Sequence, residues 1–146
     1  MSQQTLGTNT GVQLAINTDL SRIFLWENRY SRANFNNSQY VHLVMPAGTL
    51  LGRIAATQTL ALCDSKSTDG SQFPIGILAE DTIIESGVTK SLYFCDYGDV
   101  AEDKIIFHGT DTIDTVVNSR SLRDRIKSDT VGIRLVVSDE MTKFDN

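Results

Sequence analysis

With 146 residues and 16.1 kDa, the chain has the size of one domain and can bury about two-thirds of its unfolded surface in one core, without disulfide or metal staples. Its 40% hydrophobic and 21% charged residues, with two prolines and ten glycines, exclude collagen-like and linker-like chains. A net charge of −5 and a pI near 4.9 argue against a general nucleic-acid binder, which needs clustered Lys and Arg.

The first segment is polar and uncharged up to Asp19, and no aromatic precedes Phe24. It has neither the basic start nor the apolar run of a signal peptide, so synthesis in the cytoplasm is expected. No stretch approaches the roughly 18 apolar residues of a membrane helix, so no membrane partner is expected. Gln, Thr, Asn and Gly dominate, as in a mobile arm. Within it Val12, Leu14 and Ile16 alternate with Gln13, Ala15 and Asn17, which is a strand period. Such a segment can add to a partner's sheet edge, or form a frayed terminus or an edge strand of the protein's own sheet. Residues 1–22 are therefore set apart as an arm, and 23–146 as a single domain.

Residues 22–40 hold Phe24, Trp26, Tyr30, Phe35 and Tyr40, with Arg22, Arg29 and Arg32 among them and Glu27 opposing. Three readings fit this mixture: stacking on single-stranded nucleic acid, an interface anchored by Trp, Tyr and Arg, or packing of an outer loop. Next come a strand over Tyr40–Met45, a turn at Pro46–Gly48, a strand resuming over Thr49–Thr57, and a short one over Thr59–Cys63. Asp64–Ser71 reads as a polar loop closed by the Thr68-Asp69-Gly70-Ser71 turn. Pro74–Glu80 is an apolar strand and Gly87 a turn. Lys90–Tyr97 alternates, with Leu92, Phe94 and Asp96 on one side and Tyr93, Cys95 and Tyr97 on the other. Gly98-Asp99 is expected to begin another turn, and Asp103–Phe107 is a brief apolar stretch. One helix follows, capped by Ser119 or Ser121, with Asp124 in a capping-box position and Leu122 and Ile126 on one face. Val131–Val137 is a closing strand, and Ser138–Asn146 a polar tail expected to fray. Short strands, frequent turns and one helix point to a mainly β barrel-like or sandwich domain.

No catalytic, cofactor-binding or metal-binding residues stand out. His42 and His108 lack zinc-ligand spacing, and Asp64 and Asp69 lack the ladder of a calcium loop. No nucleophile elbow or phosphate loop occurs. Cys63 and Cys95 are too far apart for a redox motif and read as reduced, buried thiols. The adjacent carboxylates Glu80-Asp81 and Glu102-Asp103 fall at expected strand ends, where solvated charges are common.

Four stretches, taken in order, resemble the lambda-type head decoration (capsid cement) family of tailed phages. They are Pro46–Ile54 (PAGTLLGRI), Asp69–Asp81 (DGSQFPIGILAED), Gly98–Ile105 (GDVAEDKI) and Leu122–Val136 (LRDRIKSDTVGIRLV). The resemblance covers about residues 40–137. This chain departs from the family's shortest members by its aromatic-rich segment 20–40.

The resemblance implies a mainly β, β-tulip-like or small β-barrel-like domain with one short C-terminal helix and an extended N-terminal arm. It implies a homotrimer on the outside of the expanded head at three-fold positions, with the major capsid protein as partner and no cofactor or direct nucleic-acid contact. The arm would pair with a capsid-protein strand through Val12, Leu14 and Ile16. Phe24, Trp26, Tyr30, Arg29 and Arg32 are the candidate interface for capsid or inter-subunit contact. No enzyme activity is expected. Two alternatives stand beside this reading: a glycan- or receptor-binding accessory domain that uses exposed aromatics, and a small trimeric nucleotide hydrolase. The Gly-rich and Asp-containing motifs of dUTP pyrophosphatases are absent, and Tyr93–Val100 (YFCDYGDV) echoes them only superficially.

Overall fold

A computed structural model describes residues 22–137. The arm residues Val12, Leu14 and Ile16, and the tail 138–146, lie outside the described residues.

The strands are β1 (Phe24–Asn36), β2 (His42–Met45), β3 (Leu50–Arg53), β4 (Leu60–Leu62), β5 (Pro74–Leu78), β6 (Thr82–Glu85), β7 (Thr89–Ala101), β8 (Val116–Val117), β9 (Arg120–Ser121) and β10 (Gly132–Val136). The helix α1 spans Leu122–Asp129, and a 3-10 turn covers Glu102–Lys104. Strands pair in the order β1, β4, β3, β5, β7, and β7 pairs back onto β1, which closes a five-stranded barrel. The fold is mainly β with one short helix near the C-terminus, as expected, and the barrel alternative holds over the sandwich.

Closure depends on two long strands. β1 and β7 run antiparallel from Asn36 opposite Thr89 to Phe24 opposite Val100. Most of segment 22–40, Phe24–Asn36, is thus a strand and not an outer loop. Its composition is poor in β-branched residues, and the ladder to β7 decides its state. The expected turn at Gly98-Asp99 is likewise absent, because β7 continues to Ala101. Gly98 has φ +108°, and a Cβ there would stand 2.7 Å from the Trp26 carbonyl oxygen. It is a bulge glycine, where β1 crosses close over β7. The strand read over Thr49–Thr57 stops at Arg53, and β6 went unread. β2 pairs with β6 and not with β3, so the strand–turn–strand at Pro46 links two different sheets.

At β3, β5 and the middle of β7 the barrel wall is buried on both faces. Phe35, Leu51, Leu60, Leu78, Leu92 and Phe94, drawn from all five barrel strands, fill one core, with Leu43, Met45 and Ile84 of β2 and β6 added. The neighbouring residues Leu50, Ile77 and Cys95 turn outward. With Val100, Ile133, Leu122 and Ile126 they form a second core beneath α1 and β10. Neighbouring residues project to opposite faces of a strand, so Ile77 and Leu78 feed different cores.

Helix α1 starts at Ser121, whose hydroxyl accepts the Asp124 amide at 3.3 Å. Of the two expected caps, Ser121 is the one used. It follows the β8–β9 hairpin, whose turn residues Asn118 and Ser119 have φ of 49° and 72°, the left-handed pair of a tight hairpin turn. Arg125 of the helix donates to the Val117 and Asn118 carbonyls at 3.1 and 3.0 Å. β10 then pairs parallel to β7, from Gly132 opposite Tyr97 to Val136 opposite Ala101. Both ends of the described chain therefore meet beside Ala101, whose amide bonds the Ile23 carbonyl at 2.8 Å. β2 and β6 lie at the opposite end, tied to the β1–β7 pair by bonds from Asn37 to Val88 and from Gly87 to Asn37.

Candidate functional site

The outer face of β1 and β7 gathers most of the residues singled out in segment 22–40. From Tyr30 on, β1 alternates. Ala33 and Phe35 pack against the barrel core, while Tyr30, Arg32, Asn34 and Asn36 are exposed. Cross-strand register sets Arg32 opposite Tyr93 and Arg29 opposite Tyr97. The Arg32 guanidinium lies 4.8 Å above the Tyr93 ring, and the Arg29 guanidinium lies 4.6 Å above the Tyr97 ring. Each such stack contributes about 0.5–1 kcal/mol at an exposed site. Arg32 also donates to the Ser91 hydroxyl at 2.8 Å, and Asn36 to Thr89 at 2.6 Å.

Nearer the start of β1 the register slips between Phe24 and Trp26, again before Arg29, and again before Tyr30. Glu27 takes φ 53° within this bulged run. The result turns Trp26 outward, 64% exposed, with Tyr30 at 47%. Phe24 behaves differently. It is half-buried against the outer core and meets Tyr30 edge-on at 5.8 Å, so it props Tyr30. Burial, and secondarily the nearby Cys95 thiol, push the Tyr30 phenol above its ordinary range. Arg22 covers the open carbonyls of Phe24 and Leu25 at 3.1 Å each.

Of the candidate interface residues, Trp26, Arg29, Tyr30 and Arg32 share one exposed strip, and Phe24 supports it. Sequence reading missed the platforms Tyr93 and Tyr97. Their period-two placement on one side of β7 was the available signal; their partner strand was not visible.

Other polar groups have structural duties. The Arg123 guanidinium reaches Glu102 at 3.1 Å and Asp114 at 2.7 Å, tying helix to 3-10 turn. Asp81 accepts the Ala47 amide at 2.8 Å and joins two turns. Bonds from the Ser71 hydroxyl and amide hold the Asp69 carboxyl below its ordinary range, the mark of a self-contained turn. His42 meets Glu85 at 2.8 Å, and His108 meets Asp64 at 3.9 Å. No cluster of three metal-ligating side chains occurs among the described residues. No helix among them is long and apolar enough to cross a membrane. Cys63 and Cys95 are free and buried. Burial, then the Asp111 carboxylate, push the Cys63 thiol up to about 12. It is a poor nucleophile at neutral pH.

A barrel with an exposed aromatic and basic strip has the form of a protein that works through a surface. The comparison with known families defines the class as a viral structural protein. A sequence model described as bacteriophage lambda head decoration protein D matches residues 14–121, and the chain belongs to that family. It is accordingly a capsid decoration protein, and its family places it on the outer surface of the virion head. No curated protein matches the chain. The match begins at Leu14 and includes the whole of β1. It ends at Ser121, so the helix and closing strand, the fourth of the resembling stretches, lie beyond it.

Proposed function

We propose that the protein is a capsid cement. A homotrimer sits at three-fold and quasi-three-fold positions of the expanded tailed-phage head and stabilises it against the pressure of packaged DNA. The observation that carries this reading is the family match across β1 to β9. The major capsid protein is the partner, and the chain acts by binding rather than by catalysis. A ligand that prefers one of two lattice states favours that state by its differential affinity alone. Three arms per trimer make weak individual contacts multivalent.

Residues 1–22 serve as the capsid-binding arm and 23–146 as the seated body. Val12, Leu14 and Ile16 anchor the arm by strand addition. The exposed strip of Trp26, Arg29, Tyr30 and Arg32 continues this contact, since β1 begins where the arm joins. Trp, Tyr and Arg are the residues that dominate interface energetics. This placement is supported by their exposure on one face.

The test is to count the chain against the major capsid protein in purified virions by quantitative mass spectrometry. Near-stoichiometric copies, with heads that leak DNA when the gene is deleted, are expected. Absence from virions refutes the cement role. Replacing Val12, Leu14 and Ile16 with Asp should abolish head binding and leave the oligomer intact; retained binding refutes the arm.

A further inference from the structure

The strip along β1 and β7 is set apart by the state of its charges. The carboxylates beside it, Glu27 and Asp99, are both reached by Arg134 of β10, at 3.7 and 2.6 Å. Arg22 is taken up by the Phe24 and Leu25 carbonyls. Asp96 is buried, and the Ser31 hydroxyl donates to it at 2.5 Å. Arg29 and Arg32 differ from all of these. Both are exposed, and among the described residues neither pairs with a carboxylate. The Arg29 guanidinium makes no hydrogen bond among those residues, and Arg32 uses only its Nε, on the Ser91 hydroxyl.

We propose that Arg29 and Arg32 form a carboxylate-binding pair, and that the segment of the capsid shell seated on this strip is acidic. The inference rests on the reading of the strip as a capsid contact and names the chemistry of the partner. A guanidinium laid over a tyrosine ring has one face covered and its edge open. That edge takes a carboxylate through two parallel hydrogen bonds. Tyr97 and Tyr93 hold the two guanidiniums this way, at 4.6 and 4.8 Å, so less side-chain freedom is lost on binding. Arg29 keeps its whole edge, and Arg32 keeps its two terminal nitrogens. On a chain of net charge −5, two unpaired cations on one face are a local reversal of sign, which draws an acidic partner and repels a basic one. Phosphate also fits the fork. The family's seat on the outside of the capsid, however, puts protein carboxylates within reach and packaged DNA out of it. Trp26 and Tyr30, 64% and 47% exposed on the same strip, add the amphipathic contact that a peptide segment uses and a free anion does not.

The test binds the full-length chain to purified, empty, expanded heads that lack it, with affinity read by co-sedimentation across a salt series. Arg29→Gln with Arg32→Gln removes both charges. Arg29→Lys with Arg32→Lys keeps the charges and loses the two-pronged edge. Circular dichroism establishes folding, and sedimentation velocity the oligomeric state. The glutamine pair is expected to bind about thirtyfold more weakly at low salt, with the lysine pair between it and the parent. Raising NaCl from about 0.05 to about 0.5 M should weaken the parent and close much of the gap to the glutamine pair. A folded glutamine pair that binds like the parent overturns the inference, and so does a loss of the same size at both salt concentrations. A lysine pair equal to the parent overturns the two-pronged contact. A glutamine pair that loses the parent's oligomeric state assigns the strip to another copy of the chain and overturns the acidic shell segment. In each of these cases the parent still binds heads and the cement role stands. A parent that does not bind heads refutes the capsid-contact reading itself and takes the inference with it.

Discussion

The barrel wall at β5, buried on both faces, makes a sharp prediction at Ile77 and Leu78. They are neighbours in β5, both 0% exposed, and they project into different cores. In a strand with one solvent face, truncating one of the two would cost almost nothing. Here Ile77→Ala and Leu78→Ala each remove three buried carbons, a transfer loss of about 2.4 kcal/mol at about 0.8 kcal/mol per methylene. The cavity left behind adds to this, because neighbours relax only partly, and the expected cost is about 2–5 kcal/mol for each. Ile77 loses contact with the Leu50, Cys95 and α1 side, whereas Leu78 loses Phe94 and the barrel interior. Equilibrium urea denaturation followed by circular dichroism measures both. The midpoints should fall by similar amounts with an unchanged slope, since the exposed area of the unfolding reaction is the same. A loss below about 1 kcal/mol for either one would refute the two-core description of the wall.

Three further outcomes follow from local geometry. Ser119→Gly should raise stability by about 0.5–1 kcal/mol, because φ 72° suits glycine, and thermal unfolding checks it. Gly98→Ala should destabilise by more than about 1 kcal/mol, since it forces a Cβ against the Trp26 carbonyl at a positive φ; a Tm equal to that of the parent would contradict the bulge. The Cys63 thiol is raised from 9.0 to about 12 in the folded chain. Between those values the unfolded state releases its proton and the folded state keeps it. Its contribution is flat below pH 9 and then falls by about 1.4 kcal/mol per pH unit towards pH 12. Comparing parent and Cys63→Ala across that window isolates the slope, which the variant should lack.

Much of the fold was legible where local pattern and tertiary need agreed. The turn at Pro46–Gly48, the strands β3, β4, β5 and β10, and the helix with Leu122 and Ile126 inward all follow from period and cap chemistry. β1 was not legible. Its FLWENRYSRANFN run lacks β-branched residues, and its strand state comes from pairing with β7 some 60 residues away. Gly98-Asp99 has the composition of a turn, yet serves a bulge, because only close approach to β1 distinguishes the two. Barrel closure depends on the β1–β4 and β1–β7 pairings, and no local window contains either. At the candidate site the arginines and aromatics of β1 were visible as a group. Their tyrosine platforms were not, because these require knowing which distant strand lies alongside.

The ends of β1 and β10 lie together at one end of β7, with the β2–β6 sheet at the other. That arrangement fixes how the molecule responds to tension. A pull between its two termini peels β1 and β10 from β7 starting at Ala101, breaking bonds in succession, which takes little force. A pull from Phe24 to the β2–β6 end runs along β1 itself, an extended strand that leads directly into β2, so the covalent chain bears it. The barrel is mechanically anisotropic, compliant across the end where β1 and β10 meet and stiff along β1.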